Sequence, residues 1–508
     1  MLDGTESLAT FILFAAVTAI LVWGYNRAKT YGKLGILAWL QSIVLMSPWL
    51  LFFGLFTLGI YLNLVGILFL LIVSIAVYIW LGKQLREAGQ DTLLQQKAAE
   101  RIKRQVELES KVKSPVEATT SVDPQEEAAK AATEVSPIPD GDLAKIKEIF
   151  GIDTFFSTET IPYQDGAIFK GNLRGEPDLA YEKMSNKLHQ AFGDQYRLFL
   201  VESPEERPVV VVLPKTNDPQ TTTLAQKNLA IVLFLGTILT SLEAASILQG
   251  FDLFDNFSRY PEAIPLSLGL WSVLIAHEIG HKVLADRYNI RLSIPFFLPN
   301  WQIGSFGAIT RFESLLPNRT ALFDIAFAGP AVGGVLSLLL LIFGLILSHP
   351  GSTFQLPTEF FRASVLVGSL AKVILGSALE TAVVDINPLV IIGWLGLVIT
   401  ALNLLPAGKL DGGRIVHAIY GRKTARRSTL ATLIILGIIS LFNPANPIPL
   451  YWAVLILFLQ RDLERPVQNE LTEPDDSRAA WGLLALFLML ATLIPLSTSL
   501  AGRIGLGS

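Results

Sequence analysis

The chain has 508 residues, with 40 Lys and Arg against 44 Asp and Glu; 17% of it is charged and 51% hydrophobic. Soluble proteins carry about 25% charged residues, so the composition argues against an ordinary soluble globular protein. The net charge of −4 argues against a broad nucleic-acid-binding surface, and zero cysteines rule out a disulfide scaffold or a Cys-ligated zinc or iron–sulfur site.

The apolar residues gather into runs of about 17–25, the length a helix needs to cross a bilayer. In chain order these runs lie at 8–24, 38–58, 62–82, 228–248, 264–287, 321–347, 386–406, 426–442, 447–460 and 479–500. They predict an α-helical polytopic membrane protein of about ten spans. The stretch 361–377 is apolar but carries Arg362 and Lys372; it reads as re-entrant or interfacial, or as another span. The opening MLDGTES has no basic region before the first apolar run, and Ser- and Arg-rich transit character is absent.

Lys and Arg concentrate at 27–33, 83–87, 287–319, 408–427 and 460–465, whereas the loops 251–256 and 348–359 are acidic or neutral. With ten spans, and 361–377 not crossing, the basic loops share one side, which the positive-inside rule makes cytoplasmic.

The expected organisation is N-terminal membrane helices at 1–82, a charged juxtamembrane helix and disordered linker at 83–140, and a small cytoplasmic-side α/β domain at 141–220. A membrane core at 228–460 and a C-terminal segment with a last membrane helix at 461–508 complete it. Within the α/β domain, DLAKIKEIFG predicts a short helix, 166–173 a strand, and 178–193 an amphipathic helix ending at Gly193. The segments 196–202 and 208–214 flank SPEER and predict a hairpin.

Two motifs carry chemistry. His277-Glu278-Ile279-Gly280-His281 lies inside an apolar run. On a helix, positions i and i+4 share a face, so both imidazoles can reach one Zn²⁺, with Glu278 placed to act on a water as general base. Ionisable side chains in an apolar helix are expensive in lipid, which favours a functional cluster over a merely structural polar one. Two histidines leave zinc short of a protein ligand. His189 belongs to the α/β domain, His349 lies on the far side beside Pro350, and His417 follows a Gly-rich turn, so a carboxylate is needed. The second motif, Asn403 through Arg414, offers Asp411. Pro406 and the glycines break the helix and let the backbone turn Asp411 inward. The alternative is an interfacial turn in which Asp411 caps the next helix.

Together these residues resemble the site-2 protease family of intramembrane zinc metalloproteases. HEIGH matches its HExxH, and Asn403, Pro406, Leu410, Asp411 and Gly412 match its NxxPxxxLDG. The resemblance, covering about 228–460, implies a site-2 protease-like core in which His277, His281 and Asp411 bind one Zn²⁺ per chain. Glu278 would be the catalytic base in cleaving a transmembrane protein substrate within or near the bilayer. Gly171-Asn172-Leu173-Arg174-Gly175 and the segment 302–310 look like the plastid and cyanobacterial branch named for ethylene-dependent gravitropism and yellow-green leaves. No PDZ insertion is visible. A cyanobacterial plasma or thylakoid membrane is the expected location.

Four features remain open. Residues 294–310 carry two Pro and two Gly and predict either a membrane-level hairpin or a plain loop. As a hairpin, an edge strand containing Gly304, Phe306 and Gly307 would hold an unwound substrate by strand addition. Asn403 would orient substrate or help stabilise an oxyanion, or else serve as a polar cap. The stretch Ala328–Gly334 predicts close helix packing with a kink at Pro330. GNLRG is either a regulatory motif or a turn with Arg174 in a salt bridge. The rival functions are a catalytically silent scaffold or chaperone, and a transporter; no inverted hydropathy repeat supports the latter. Partners other than substrate and lipid are not implied.

Overall fold

The computed structural model describes residues 138–497, apart from 164, 204, 444–445 and 461, together with scattered residues between 22 and 84. The chain forms two compact units, Met1–Glu127 and Ala128–Ser508. The predicted spans at 8–24, 38–58 and 62–82 and the linker 83–140 lie wholly or mostly outside the described residues.

The α/β domain opens with α1 (Asp140–Ile149), followed by β1 (Phe155–Tyr163), β2 (Gly166–Leu173), α2 (Pro177–Phe192), β3 (Tyr196–Glu202) and β4 (Pro208–Pro214). The strands form one antiparallel sheet in the order β1-β2-β4-β3. Phe155, Phe169, Met184, Leu200 and Val210 fill its core without exposure to solvent. The predicted helices, strand and hairpin are all present. Strand β1 is an addition. In FFSTETIPY only Phe155 is buried, because β1 is a sheet edge with little of its surface in the core, so its sequence lacks a strong apolar alternation.

The membrane part begins with α3 (Leu224–Leu248), capped by a reciprocal Thr223–Gln226 box, and α4 (Tyr260–Arg287). The hairpin of β5 (Phe296–Asn300) and β6 (Gly304–Ile309) follows, then α5 (Arg319–Ile346). Next come β7 (Phe354–Pro357), α6 (Val365–Leu375), β8 (Val383–Ile386), α7 (Pro388–Asn403), α8 (Asp411–Phe442), α9 (Ile448–Leu455) and α10 (Asp476–Leu493).

Among the described residues, five helices are long and apolar enough to cross a membrane: Gln226–Leu248, Phe257–Arg287, Arg319–Ile346, Asp411–Phe442 and Asp476–Leu493. Their outward faces remain apolar, as with Leu239, Val335, Phe343 and Ile434, which suits contact with lipid rather than water. Two predicted spans come out shorter. The run 386–406 holds α7, whose 16 residues reach about 24 Å at 1.5 Å per residue. The run 447–460 holds the 8-residue α9 and one π-helical turn. The predicted span 426–442 is the second half of α8, which starts at Asp411 and breaks at Gly421, φ 76°. Helix α6 has 11 residues, about 16 Å, too short to cross a core of about 30 Å.

Helix α5 packs on both α4 and α7. The segment after α9 ties the α/β domain to this core. Leu200 of the edge strand β3 donates its N–H to Gln468 O at 2.7 Å and accepts from Glu470 N at 2.9 Å. The same segment bonds the start of α5, through Gln468 N to Leu316 O and Asn469 N to Pro317 O.

Candidate metal centre

Helix α4 turns His277 and His281 inward and leaves Ile275, Ile279 and Val283 exposed. Residues two apart on a helix point to opposite sides, so one stretch serves both the site and the outer surface. Facing it, α5 supplies glycines where α4 needs space. A β-carbon on Gly329 would fall on the His281 ring, one on Gly333 would lie 3.0 Å from His277 Cβ, and one on Gly280 would meet Ala328 O at 2.5 Å. The expected close helix packing at 328–334 is present, and it packs the histidines themselves.

Asp411 comes from a separate element. The NLLPAGKLDGG turn folds tightly back on itself; β-carbons on Gly412 and Gly413 would overlap the carbonyls of Leu404 and Gly408. Leu410 is the N-cap of α8, and Asp411, the first helical residue, makes no capping hydrogen bond. Its carboxylate instead points at the histidines.

The three donors converge. His277 Nε2 lies 3.1 Å from His281 Nε2, and Asp411 Oδ2 lies 3.2 Å from the first and 3.4 Å from the second. A tetrahedral site with bonds of 2.0–2.1 Å has edges of about 3.3 Å. His281 Nδ1 is 2.7 Å from the Ile325 carbonyl and donates to it, which leaves the Nε2 lone pair free to bind a metal. Pro330, on the same helix, has no N–H for Ala326 O and loosens that turn. The donor chemistry, the spacing and the glycine cradle all fit a zinc ion. His277, Glu278 and His281 form the one cluster of potential metal-binding side chains identified among the described residues. A cavity of about 10 Å³, room for about one water, is lined by His281, Asp411, Asn403 and the end of β6.

Comparisons with known proteins agree with this geometry. The profile of peptidase family M50 matches residues 265–443, and that of the EGY3 middle domain matches residues 144–220. "Probable zinc metalloprotease EGY2, chloroplastic" of Arabidopsis thaliana is 42% identical over 366 residues, 70% of this chain and 65% of its own. "Probable zinc metalloprotease EGY1, chloroplastic" of the same plant is 37% identical over 404 residues, 72% of this chain and 73% of its own. "Probable zinc metallopeptidase EGY3, chloroplastic" is 34% identical over 378 residues, 70% of this chain and 65% of its own. The matched stretch thus spans about two thirds of these relatives. No solved structure matches the chain.

The chain belongs to the site-2 protease family, peptidase family M50. Within that family its relatives are the EGY proteins.

Several residues around the site of this family member were not apparent from its motifs. Thr310 Oγ1 donates to Glu278 Oε2 at 2.8 Å. Arg414 Nη2 donates to Thr310 O at 2.8 Å, its Nε to Glu464 Oε2 at 3.1 Å, and its Nη1 lies 3.8 Å from Asp411 Oδ1. Arg414 thereby ties the end of β6, the Asp411 carboxylate and the segment after α9 together. It stands three residues after Asp411, one helical turn on, which was the only sequence signal for its role.

Asn403 is buried at the end of α7 and donates from Nδ2 to Ile399 O at 2.9 Å and Phe306 O at 3.2 Å. A β-carbon on Gly307, φ +94°, would meet Asn403 Nδ2 at 2.5 Å. Gly304, φ +83°, seats the hairpin turn on α3, where its carbonyl accepts from Thr240 Oγ1 at 2.6 Å. The Phe306 side chain is fully buried against Tyr451 and Trp452, so its backbone is the part that approaches the site. His417 makes a separate buried pair with Glu470.

None of the five GNLRG residues lines the metal-site cavity. Gly171 abuts the Phe156 backbone, Arg174 N donates to Thr154 O at 2.8 Å, and Gly175 has φ +80°. Asn172 and Arg174 are exposed, and Arg174 forms no ion pair among the described residues.

Proposed function

We propose that the chain is a zinc endopeptidase that hydrolyses a peptide bond of a membrane-protein substrate within or near the bilayer. One zinc per chain is held by His277, His281 and Asp411. The observation that carries this reading is the convergence of two imidazoles and a carboxylate from a different helix, with Glu278 alongside. When bound, zinc acts as a Lewis acid that lowers the pKa of water and stabilises negative charge on oxygen. Glu278 takes the proton of the attacking water and later gives it to the leaving amine nitrogen. Thr310 holds Oε2 of that carboxylate, so Oε1 is the oxygen left for the proton.

The hairpin holds the substrate. Thr310 O points away from β5, to Arg414, while Arg311 O points back to Ser293 N. Alternation along the strand then turns the Ala308 N–H and C=O outward, toward the cavity that Ala308 lines. An unwound substrate can pair with Ala308 as an added strand. Gly304, Phe306 and Gly307 shape that strand and Asn403 anchors it; GNLRG serves a regulatory role in the α/β domain. The protein sits in a plasma or thylakoid membrane of a cyanobacterium, with the α/β domain on the cytoplasmic side, as its basic loops favour.

The test is cleavage of a panel of single-span substrates in liposomes by wild type and Glu278→Gln, with zinc measured on both. Wild type alone should cleave, both should carry zinc, and a chelator should abolish activity. Equal cleavage by the two proteins would remove Glu278 as the base. Zinc-free, well-folded wild type would sink the metal site.

A further inference from the structure

Beside the metal-site cavity lies a larger one of about 400 Å³, within the range of ligand-binding pockets. Lys409 lines both. Four parts of the chain build its wall: the end of the α/β domain at 216–220, the continuation of β6 at 311–316, the turn before Asp411, and 464–466.

Its ionisable lining residues are Asp218, Arg311, Glu313, Lys409, Glu464 and Arg465. Three acids face three bases, yet the acids are already engaged. Asp218 is held by Arg197 at 3.0 Å and Glu464 by Arg414 at 3.0 Å, both from outside the lining. Glu313 accepts from the Thr222 N–H at 2.7 Å and from the Thr222 hydroxyl. The cations are not neutralised in return. Arg311 Nη2 donates to Gln226 Oε1 at 3.1 Å and Arg465 Nη1 to Asn217 O at 2.8 Å, both neutral acceptors. No ion pair among the described residues involves Lys409. Glu313, bonded only to neutral donors, keeps its charge, so three cations face one acid without a cationic partner and the cavity still presents surplus positive charge next to the place where the bond would be cut.

We propose that this cavity docks an acidic stretch of the substrate chain, the polar residues that flank its membrane segment on the metal-site side. The inference rests on the protease reading above. An acidic flank passing Lys409 meets cations that lack anionic partners, in a concave wall where charge attraction is less screened than on an open surface. Such contacts are made equally in the bound substrate and the transition state, so they lower KM and leave kcat nearly unchanged.

Binding can be tested without cleavage, using the full chain carrying Glu278→Gln in detergent. Fluorescein-labelled hexaglutamate is the probe and labelled hexaglutamine its control. Hexaglutamate should bind at least about tenfold tighter, and the advantage should shrink as salt is raised. It should fall below about threefold in the double variant Lys409→Gln, Arg465→Gln and return in Lys409→Arg, Arg465→Lys. Equal binding of the two peptides, or a preference untouched by the double neutralisation, overturns the proposal. Wild type that cleaves membrane substrates without a lower KM for acidic flanks also overturns it and leaves the protease reading standing. A hexaglutamate preference that follows the two cations, in a protein that cleaves nothing, upholds the cavity and sinks the protease reading.

Discussion

Gly329 illustrates how closely the metal centre depends on single atoms. The His281 ring occupies the space a β-carbon at this position would fill, while its Nδ1 is fixed by Ile325 O about one turn away on the same helix. Gly329→Ala should therefore push the ring off its line and weaken zinc binding by about 10–100-fold, the usual cost of disturbing a ligand's supporting contacts. Zinc retained after dialysis, set against unchanged circular dichroism, checks this. At this scale the sequence was partly readable. HEIGH and LDGG are local patterns, and each states its own geometry through helical spacing or turn-forming glycine. Thr310 and Ile325 gave no such signal. They lie 32 and 44 residues from their partners, and their roles arise only when β6 and α5 are packed on α4.

Helix α8 is interrupted at Gly421, and the end of its first half is held from outside. The buried Arg319 donates from Nε to Ala418 O and from Nη2 to Ile419 O, each at 2.8 Å. Those are the carbonyls just before the break, where a helix runs short of its own donors. Arg319→Met keeps much of the side-chain bulk and removes both bonds. It should cost about 3–6 kcal/mol, read as a lowered Tm, since hydrogen bonds from a charged donor contribute about 1.5–3 kcal/mol each. Because Asp411 starts the same helix, zinc content should fall with it. Hydropathy located the apolar half of α8 at 426–442 but not its polar start, because Arg414, Arg422 and their neighbours read as a loop. Their charges are absorbed by partners far along the chain, as Arg414 is by Glu464. The shortness of α7 was hidden for a related reason: its apolar run continues into the turn that carries Pro406.

The α/β domain and the membrane core meet through a few backbone bonds and side-chain contacts, Lys423 with Glu206 and Thr472 with Asp178 among them. Asn469 donates to Asp178 of α2 at 2.6 Å, its N–H is bonded to Pro317 O, and its neighbours pair with Leu200. Asn469→Ala should loosen this attachment without unfolding either part. Limited proteolysis should then release the α/β domain more readily, and the Leu200 amide should exchange faster, while the overall Tm stays nearly unchanged. Full retention of Leu200 protection would show that the attachment lies elsewhere. The domain's own elements were readable from their alternation and amphipathic spacing. The attachment was not, because 466–473 has no periodic pattern and acquires its extended shape from the two surfaces it joins.

The pairing of Leu200 with Gln468 and Glu470 also has a consequence in time. The ribosome makes β3 roughly 270 residues before the strand that covers it. At ~5–20 residues per second, that edge waits on the order of 10–50 s for its partner. Throughout that interval the nascent domain offers an open row of backbone donors and acceptors, the situation that invites wrong pairing. The late segment must also bond Leu316 and Pro317 at the head of α5. Closure of the edge is thus a record that helices α3 to α9 have been made and brought together, and a chain stopped before residue 468 would carry a finished-looking domain with one side still open.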